Sequence, residues 1–251
     1  MQVVIIGSGN VAYHLAFALR YTKHKVVQVI GRNKKETKVV AGINDSKVEF
    51  SFSNINTDAD IYIIAVDDDA ISIVVNKIPV TDKIVLHTSG ATPIDVLKTK
   101  FKNAGVMYPL QSINKNYPVS FRTIPICIEG SNKKTENEIS QFVSALSEKV
   151  VRVTGEQRLK LHLAAVLVNN FTNHLYAEAF DLLTKSKLDF KLLMPLIENT
   201  VVKIKQANPR NLQTGPAKRK DITTIKKHLK LLNKDSGLKK IIFAVHITNS
   251  K

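Results

Sequence analysis

The turn Gly7-Ser8-Gly9-Asn10-Val11-Ala12 constrains this chain more than any other feature. It is entered from Val3-Val4-Ile5-Ile6 and left through an amphipathic stretch over residues 11–20. A four-residue β-branched run reads as a buried strand, and the apolar spacing after the turn reads as a helix. Gly7, Gly9 and Ala12 then have the G-x-G-x-x-G/A spacing of a strand-to-helix turn that holds a dinucleotide. The first glycine permits the tight exit from the strand. The second lacks a Cβ, so a pyrophosphate can approach the backbone, and the small third residue lets helix and strand pack closely. The helix N-terminus offers free N–H groups and the positive end of its dipole to the anion. Cofactor contacts are therefore expected from Gly7, Ser8, Gly9, Asn10 and Val11. A purely structural strand–helix turn is the alternative.

The end of the second expected strand, 26–30, selects the cofactor. It runs into Gly31-Arg32-Asn33-Lys34-Lys35, with no acid before Glu36. An acid there would bind a ribose 2′-hydroxyl and repel a 2′-phosphate, whereas the planar fork of Arg32 can grip the phosphate. Arg32 and Asn33 thus point to NADP(H), with a solvated loop arginine as the bland alternative.

Short β-branched runs alternate with helical segments through residue 153, as in a parallel α/β sheet. Strands are expected at 3–6, 26–30, 48–52, 61–66, 84–87, 105–108, 125–128 and 150–153. Helices are expected after Gly9, after Asp69, and near Thr92-Pro93 with Thr92 as N-cap. Beyond Gly155 the periodicity is helical, over about 156–184, 189–206, 221–233 and 236–248. Asp189 and Asp221 are the expected N-caps, and residues 207–216 form a loop. The fold class is a Rossmann-type doubly wound, mostly parallel sheet (1–153) followed by a smaller all-α domain (154–251). An apolar content of 44% supports a core of this size. The net charge of +16 comes mostly from lysine and reads as a solvated surface that helps attract a phosphorylated cofactor. The densest basic run, Lys218-Arg219-Lys220, has no aromatic neighbours for base stacking, so no nucleic-acid partner is expected. No apolar run approaches the roughly 18 residues of a membrane helix. With a strand expected so close to residue 1, no targeting peptide is expected, and the single Cys127 suits a reducing, cytoplasmic setting.

Ligands of open α/β sheets lie beyond the carboxyl ends of the strands. The fourth strand ends in Ala65-Val66-Asp67-Asp68-Asp69, where backbone would flank the cofactor and aspartates would cap the next helix. The fifth ends in His87-Thr88-Ser89-Gly90. His87 and Ser89 there either orient a carbonyl and donate a proton, or form a structural turn. Gln111 and Ser112, after the sixth strand, are further candidates. On the long helix, His162, Val166, Asn169, Asn173 and Tyr176 form one stripe at about 100° per residue, with Asn170 and His174 beside it. Such a stripe is either a ligand site or a satisfied interhelical contact. No spacing of Cys, His or carboxylate makes a convincing metal site.

With these residues in view, the chain resembles a family of oxidoreductase-like proteins that join a Rossmann-like NADP-binding domain to a C-terminal helical domain of unknown function. The carriers are the glycine turn, Leu86-His87-Thr88-Ser89-Gly90, Tyr108-Pro109-Leu110-Gln111, Asn169-Asn170-Phe171, and Thr214-Gly215-Pro216-Ala217-Lys218-Arg219-Lys220-Asp221 with His228-Leu229. Lys220 departs from the family, which usually has glycine there. More distantly the chain is similar to pyrroline-5-carboxylate reductase, deazaflavin-dependent NADP oxidoreductase and the 3-hydroxyacid dehydrogenases. The last of these place a catalytic lysine four residues before a helix asparagine. If Asn170 matches that asparagine, Val166 stands where the lysine would be.

The resemblance implies an NADP(H)-dependent oxidoreductase acting on a small carbonyl, imine or hydroxyacid, assembled as a homodimer. The second reading is a non-catalytic NADP(H)-binding or sensing protein. The substrate site is expected where His87 and Ser89 meet Asn170 and His174. A loop carrying Thr214, Gly215 and Asp221 would close over it, with Asp221 holding Thr214 and Gly215.

Overall fold

The computed structural model of the protein describes residues 1–232 and 236–249. Its first part runs β1 (Gln2–Ile6), α1 (Asn10–Leu19), β2 (Lys25–Ile30), α2 (Lys34–Gly42), β3 (Lys47–Glu49), β4 (Ile61–Ile64), α3 (Asp68–Lys77), β5 (Ile84–His87), α4 (Asp95–Lys98), β6 (Ala104–Pro109), β7 (Ile126–Gly130), α5 (Lys133–Ser144) and β8 (Val150–Arg152). The strands form one eight-stranded sheet in the order β3-β2-β1-β4-β5-β6-β7-β8. β1 to β6 are parallel; β7 is antiparallel to β6 and parallel to β8.

The continuous apolar runs of the central strands follow from burial on both faces. Val3 and Ile5 of β1, with Ile61 and Ile63 of β4, join Leu15 and Leu19 of α1 and Phe142 of α5 in one core. Val4 and Ile6, with Tyr62 and Ile64, join Ile71 and Val75 of α3 and Leu97 of α4 in the other. Successive side chains thus alternate between two helical layers, as the period of a strand requires. The strand order reverses at β1, between β2 and β4, and this opens the crevice where such sheets take ligands.

Two local expectations are corrected. The third strand stops at Glu49, and Phe52–Asn54 forms a 3-10 turn capped by Ser51, whose hydroxyl accepts from Ser53 N. A serine offering its own local bond competes with the strand ladder. The helix expected near Thr92-Pro93 begins only at Asp95, and Thr92 is not its N-cap: Thr92 N donates to Ser89 Oγ instead. Helices α2 and α5 each open on an asparagine, with Asn33 accepting from Glu36 N and Asn132 from Thr135 N.

The helical part comprises α6 (Gly155–Ala165), a π-helical segment Val166–Phe171, α7 (Thr172–Lys185), α8 (Met194–Gln206), α9 (Ile222–Leu231) and α10 (Ser236–Asn249). α6 opens with a capping box, Thr154 and Gln157 each accepting from the other's backbone N–H. The chain divides into two compact units, Met1–Asn170 and Phe171–Lys251. α6 lies in the first of them, bound to the sheet through Arg158 and His162. In the second, Asp189 accepts from Lys191 N and Asp221 from Thr224 N, the capping roles expected of both.

Candidate functional site

The two glycines of the β1–α1 turn serve different ends. Gly7 has φ +128, and a Cβ there would collide with the carbonyl oxygen of Ala65. Its N–H donates to Ile30 O at 2.8 Å. Gly7 is therefore required by the sheet itself, wedged between the ends of β2 and β4. Gly9 sits in ordinary extended backbone, φ −79, and a Cβ added there meets, beyond its chain neighbours, no atom of the described residues within 4 Å. The folded chain would accept alanine at this position, so the glycine leaves room for something the protein does not supply. Gly9 is also the N-cap of α1, and no side chain caps that helix. Its first-turn N–H groups are thus left for an external acceptor. Open backbone at an uncapped helix N-terminus fits a pyrophosphate.

An open cleft of about 410 Å³ beside this turn is lined by Ser8, Gly9, Asn10, Asn33, Glu36 and Lys115. Val11 is half-buried against the core. Arg32, just past β2, is exposed and forms no hydrogen bond or ion pair with the other described residues. Asn33 is occupied as the N-cap of α2. Ala65 and Val66 crowd Gly7 from the β4 side. Asp67 stands at the N-cap position of α3, but its side chain makes none of the capping bonds expected of it. Lys115, from the β6–β7 connection, reached this cleft unannounced by the sequence, because 79 residues separate it from Glu36.

At the ends of β5 and β6 the arrangement differs from the expected one. His87 is completely buried. Its Nδ1 accepts from Ser89 N at 3.2 Å, which places the ring proton on Nε2, and Nε2 has no hydrogen-bond partner among the described residues. Burial first, and the Arg158 cation second, push the His87 pKa down to about 4. The Pro93 carbonyl opposes this weakly from outside hydrogen-bond geometry. A neutral ring enclosed in this way suits positioning rather than the proton donation expected of His87. Ser89 Oγ accepts from Ala91 N at 3.1 Å and Thr92 N at 2.9 Å, so it closes a turn.

Arg158 organises this turn from α6. Its Nη1 donates to the carbonyls of Ser89, Gly90 and Thr92 at 3.1, 3.0 and 2.8 Å, and its Nη2 to Glu129 Oε2 at 3.1 Å. Beside it, Tyr108 Oη lies 3.1 Å from His162 Nδ1. Gly90 is small for their sake: a Cβ there would come within 2.6 Å of His162 Nδ1 and 2.8 Å of Tyr108 Cζ. Burial, reinforced by Cys127 and Asp68, pushes the Tyr108 phenol above its ordinary value. A tyrosine kept protonated beside an imidazole can pass on a proton. The sequence held both residues in view but gave no sign of their pairing.

Asn170 is exposed in the π-helical segment. The stripe drawn at 100° per residue crosses this segment, where i→i+5 bonding changes the rotation, so its phase does not carry through to Tyr176. His174 is exposed, with Nε2 3.7 Å from Glu178 Oε1 on the same helix. Gln111 and Ser112 are exposed, and Gln111 Oε1 accepts from Ser112 N. In the second unit Thr214 is exposed and Gly215 has φ +97. Asp221 does not hold these two. Its carboxylate accepts from Thr224 N and Oγ1, while backbone bonds from Arg219 N to Gly215 O and from Asp221 N to Pro216 O close the loop.

A glycine turn at the switch point of a doubly wound sheet defines a Rossmann-type protein. Residues 1–111 match the Rossmann-like domain family, and residues 124–242 match the family described as Domain of unknown function (DUF2520). A candidate NADP oxidoreductase from Bacteroides fragilis is 34% identical, with 99% of this chain and 97% of that one covered and a TM-score of 0.92. The chain belongs to this family, in which a Rossmann-like domain precedes a DUF2520 domain. The imine reductase of Myxococcus stipitatus in complex with NADP+ shares the fold at 13% identity, with coverage of 99% and 93% and a TM-score of 0.66. The 1-pyrroline-5-carboxylate reductase of Streptococcus pyogenes shares it at 11% identity, with coverage of 100% and 98% and a TM-score of 0.65. No curated relative matches the sequence.

Proposed function

We propose that this protein is an NADP(H)-dependent oxidoreductase acting on a small carbonyl, imine or hydroxyacid. The observation that carries the reading is the vacant space at Gly9 over the uncapped start of α1, with an unpaired arginine at the end of β2. The first feature takes a pyrophosphate, and the second takes a 2′-phosphate. NADPH, when bound, supplies a hydride. Tyr108 Oη supplies the proton that the substrate heteroatom needs, and His162 Nδ1 is placed to restore it. His87, Ser89 and Arg158 hold the β5 turn against which Tyr108 and His162 are set. The small-molecule chemistry and the buried free thiol of Cys127 suit a cytoplasmic setting.

Fluorescence titration and a substrate panel test the proposal together. The protein should bind NADPH more tightly than NADH, and Arg32→Ala should weaken NADPH alone, by roughly 10-fold or more. Tyr108→Phe should keep NADPH affinity within about twofold and lower turnover by roughly 10²- to 10⁴-fold, the usual worth of a general acid. Equal losses of both nucleotides in Arg32→Ala would remove the basis for NADP. The non-catalytic reading draws on the enclosed, neutral His87 and on Val166 in place of a lysine. Substrate-dependent NADPH oxidation would exclude it.

A further inference from the structure

Glu36 is the one acid among the described residues that line the cleft beside the glycine turn, and it stands in the first turn of α2, just past Arg32 and the end of β2. A free carboxylate there would favour NAD(H). It is not free. Lys115 Nζ lies 2.6 Å from Glu36 Oε2. The lysine is brought there by a connection fixed at several points. Lys115 N donates to Asn10 Oδ1 at 3.2 Å. His14 Nε2 lies 3.0 Å from Asn114 O. Within the connection, Tyr117 N donates to Asn114 O at 3.0 Å, and Asn116 N to Asn114 Oδ1 at 2.9 Å. The segment is thus tied to the first turns of α1 while its ammonium reaches the first turn of α2. Those two helix starts flank the pyrophosphate and the adenosine ribose in a Rossmann unit. The lysine side chain is 41% exposed and the glutamate 27%, so both remain open to a ligand in the cleft.

We infer that Lys115 is a specificity-determining residue: it neutralises Glu36 and contributes the second cation, with Arg32, to the 2′-phosphate of NADP(H). A phosphate monoester carries about −1.5 to −2 charges at pH 7, against −1 for the carboxylate, so it competes well for the ammonium. The ammonium's hydrogen bond already holds the Glu36 carboxyl below its ordinary range, which keeps it ionised and in need of a counter-ion. The inference rests on the NADP(H) reading above, and one set of titrations separates the two.

NADPH, NADH and 2′,5′-ADP are titrated against the full-length wild type, Lys115→Ala, Glu36→Gln and the double variant, at low and at physiological salt. Lys115→Ala should weaken NADPH and 2′,5′-ADP by roughly 5- to 10-fold, less at the higher salt, and leave NADH unchanged or tighter. Glu36→Gln should tighten NADPH severalfold by removing the carboxylate that competes for the ammonium. In the double variant the effects should not add, because the two residues share one contact. Equal weakening of NADPH and NADH in Lys115→Ala would assign the lysine to the pyrophosphate and overturn the inference. So would no change in either nucleotide, or weaker NADPH binding in Glu36→Gln. A wild type that prefers NADH would instead overturn the NADP(H) reading itself.

Discussion

Arg158 is nearly inaccessible to solvent and carries the most hydrogen bonds of any side chain in the site. Its two terminal nitrogens offset much of the burial penalty with one carboxylate and three carbonyls, while its buried Nε has no hydrogen-bond partner among the described residues. Burial, reinforced by this cation, keeps His87 neutral, and a titration follows from that. His87 falls to about pKa 4 in the folded chain from about 6.5 when unfolded. Between those values the unfolded chain binds a proton that the folded chain refuses, so stability falls as pH falls. The contribution of His87 is complete above about pH 6.5. It is lost by roughly 1.4 kcal/mol per pH unit down to about pH 4. His24, whose pKa is lowered by its own burial, adds to the loss in the same direction. Urea midpoints measured from pH 7.5 to 4.5 should decline, and His87→Asn should flatten the decline. An unchanged slope in that variant would mean that His87 is hydrated.

Among the elements, helix and strand types followed from periodicity, while their ends followed from single polar side chains. Ser51 ends the third strand early, Ser89 takes the N–H expected to begin a helix, and Thr154 with Gln157 starts α6. The turn before α9 shows the reverse dependence. Lys220 has φ +55, a left-handed conformation that glycine adopts without strain. That is a physical reason for the glycine that the resemblance leads one to expect there, and it makes Lys220 strained. A left-handed residue with a Cβ costs about 1–2 kcal/mol, and glycine returns about 0.5–1 kcal/mol of that through its unfolded-state entropy. Lys220→Gly should therefore stabilise the second unit by up to about 1 kcal/mol, visible as a rise of a few degrees in its melting transition. A lower transition temperature would show that the lysine side chain makes a compensating contact.

For the whole molecule, the open question is what covers the helices. Leu159, Leu163, Leu167, Phe171, Leu175, Phe180, Leu192, Leu196 and Val202 are all more than two-fifths exposed in the single chain. Apolar exposure on this scale, present in each of the two units, marks interaction surfaces, and a two-fold pair of identical chains is the commonest way to cover them. The protein should be a homodimer in solution. Light scattering across micromolar concentrations should give twice the chain's 27.9 kDa, and Leu163→Glu with Leu196→Glu should shift it toward the monomer. A monomeric mass for the wild type, unchanged with concentration, would rule the homodimer out.

By itself the sequence determined what depends on neighbours along the chain. The alternation of β-branched runs with helical periods set the order of the elements. The spacing of Gly7, Gly9 and Ala12 marked the turn expected to hold a nucleotide, and the basic run after β2 pointed to NADP(H) as the expected cofactor. These signals are local, so one sequence carries them whole. Only the tertiary structure decided which polar groups meet. It enclosed His87, brought Tyr108 to His162 across 54 residues, and carried Lys115 across 79 residues to Glu36. It also separated the meaning of two glycines that look alike in the motif, one required by Ala65 and the other left open for a ligand. Contacts at such separations depend on strand order and loop paths, and no periodicity along the chain records them.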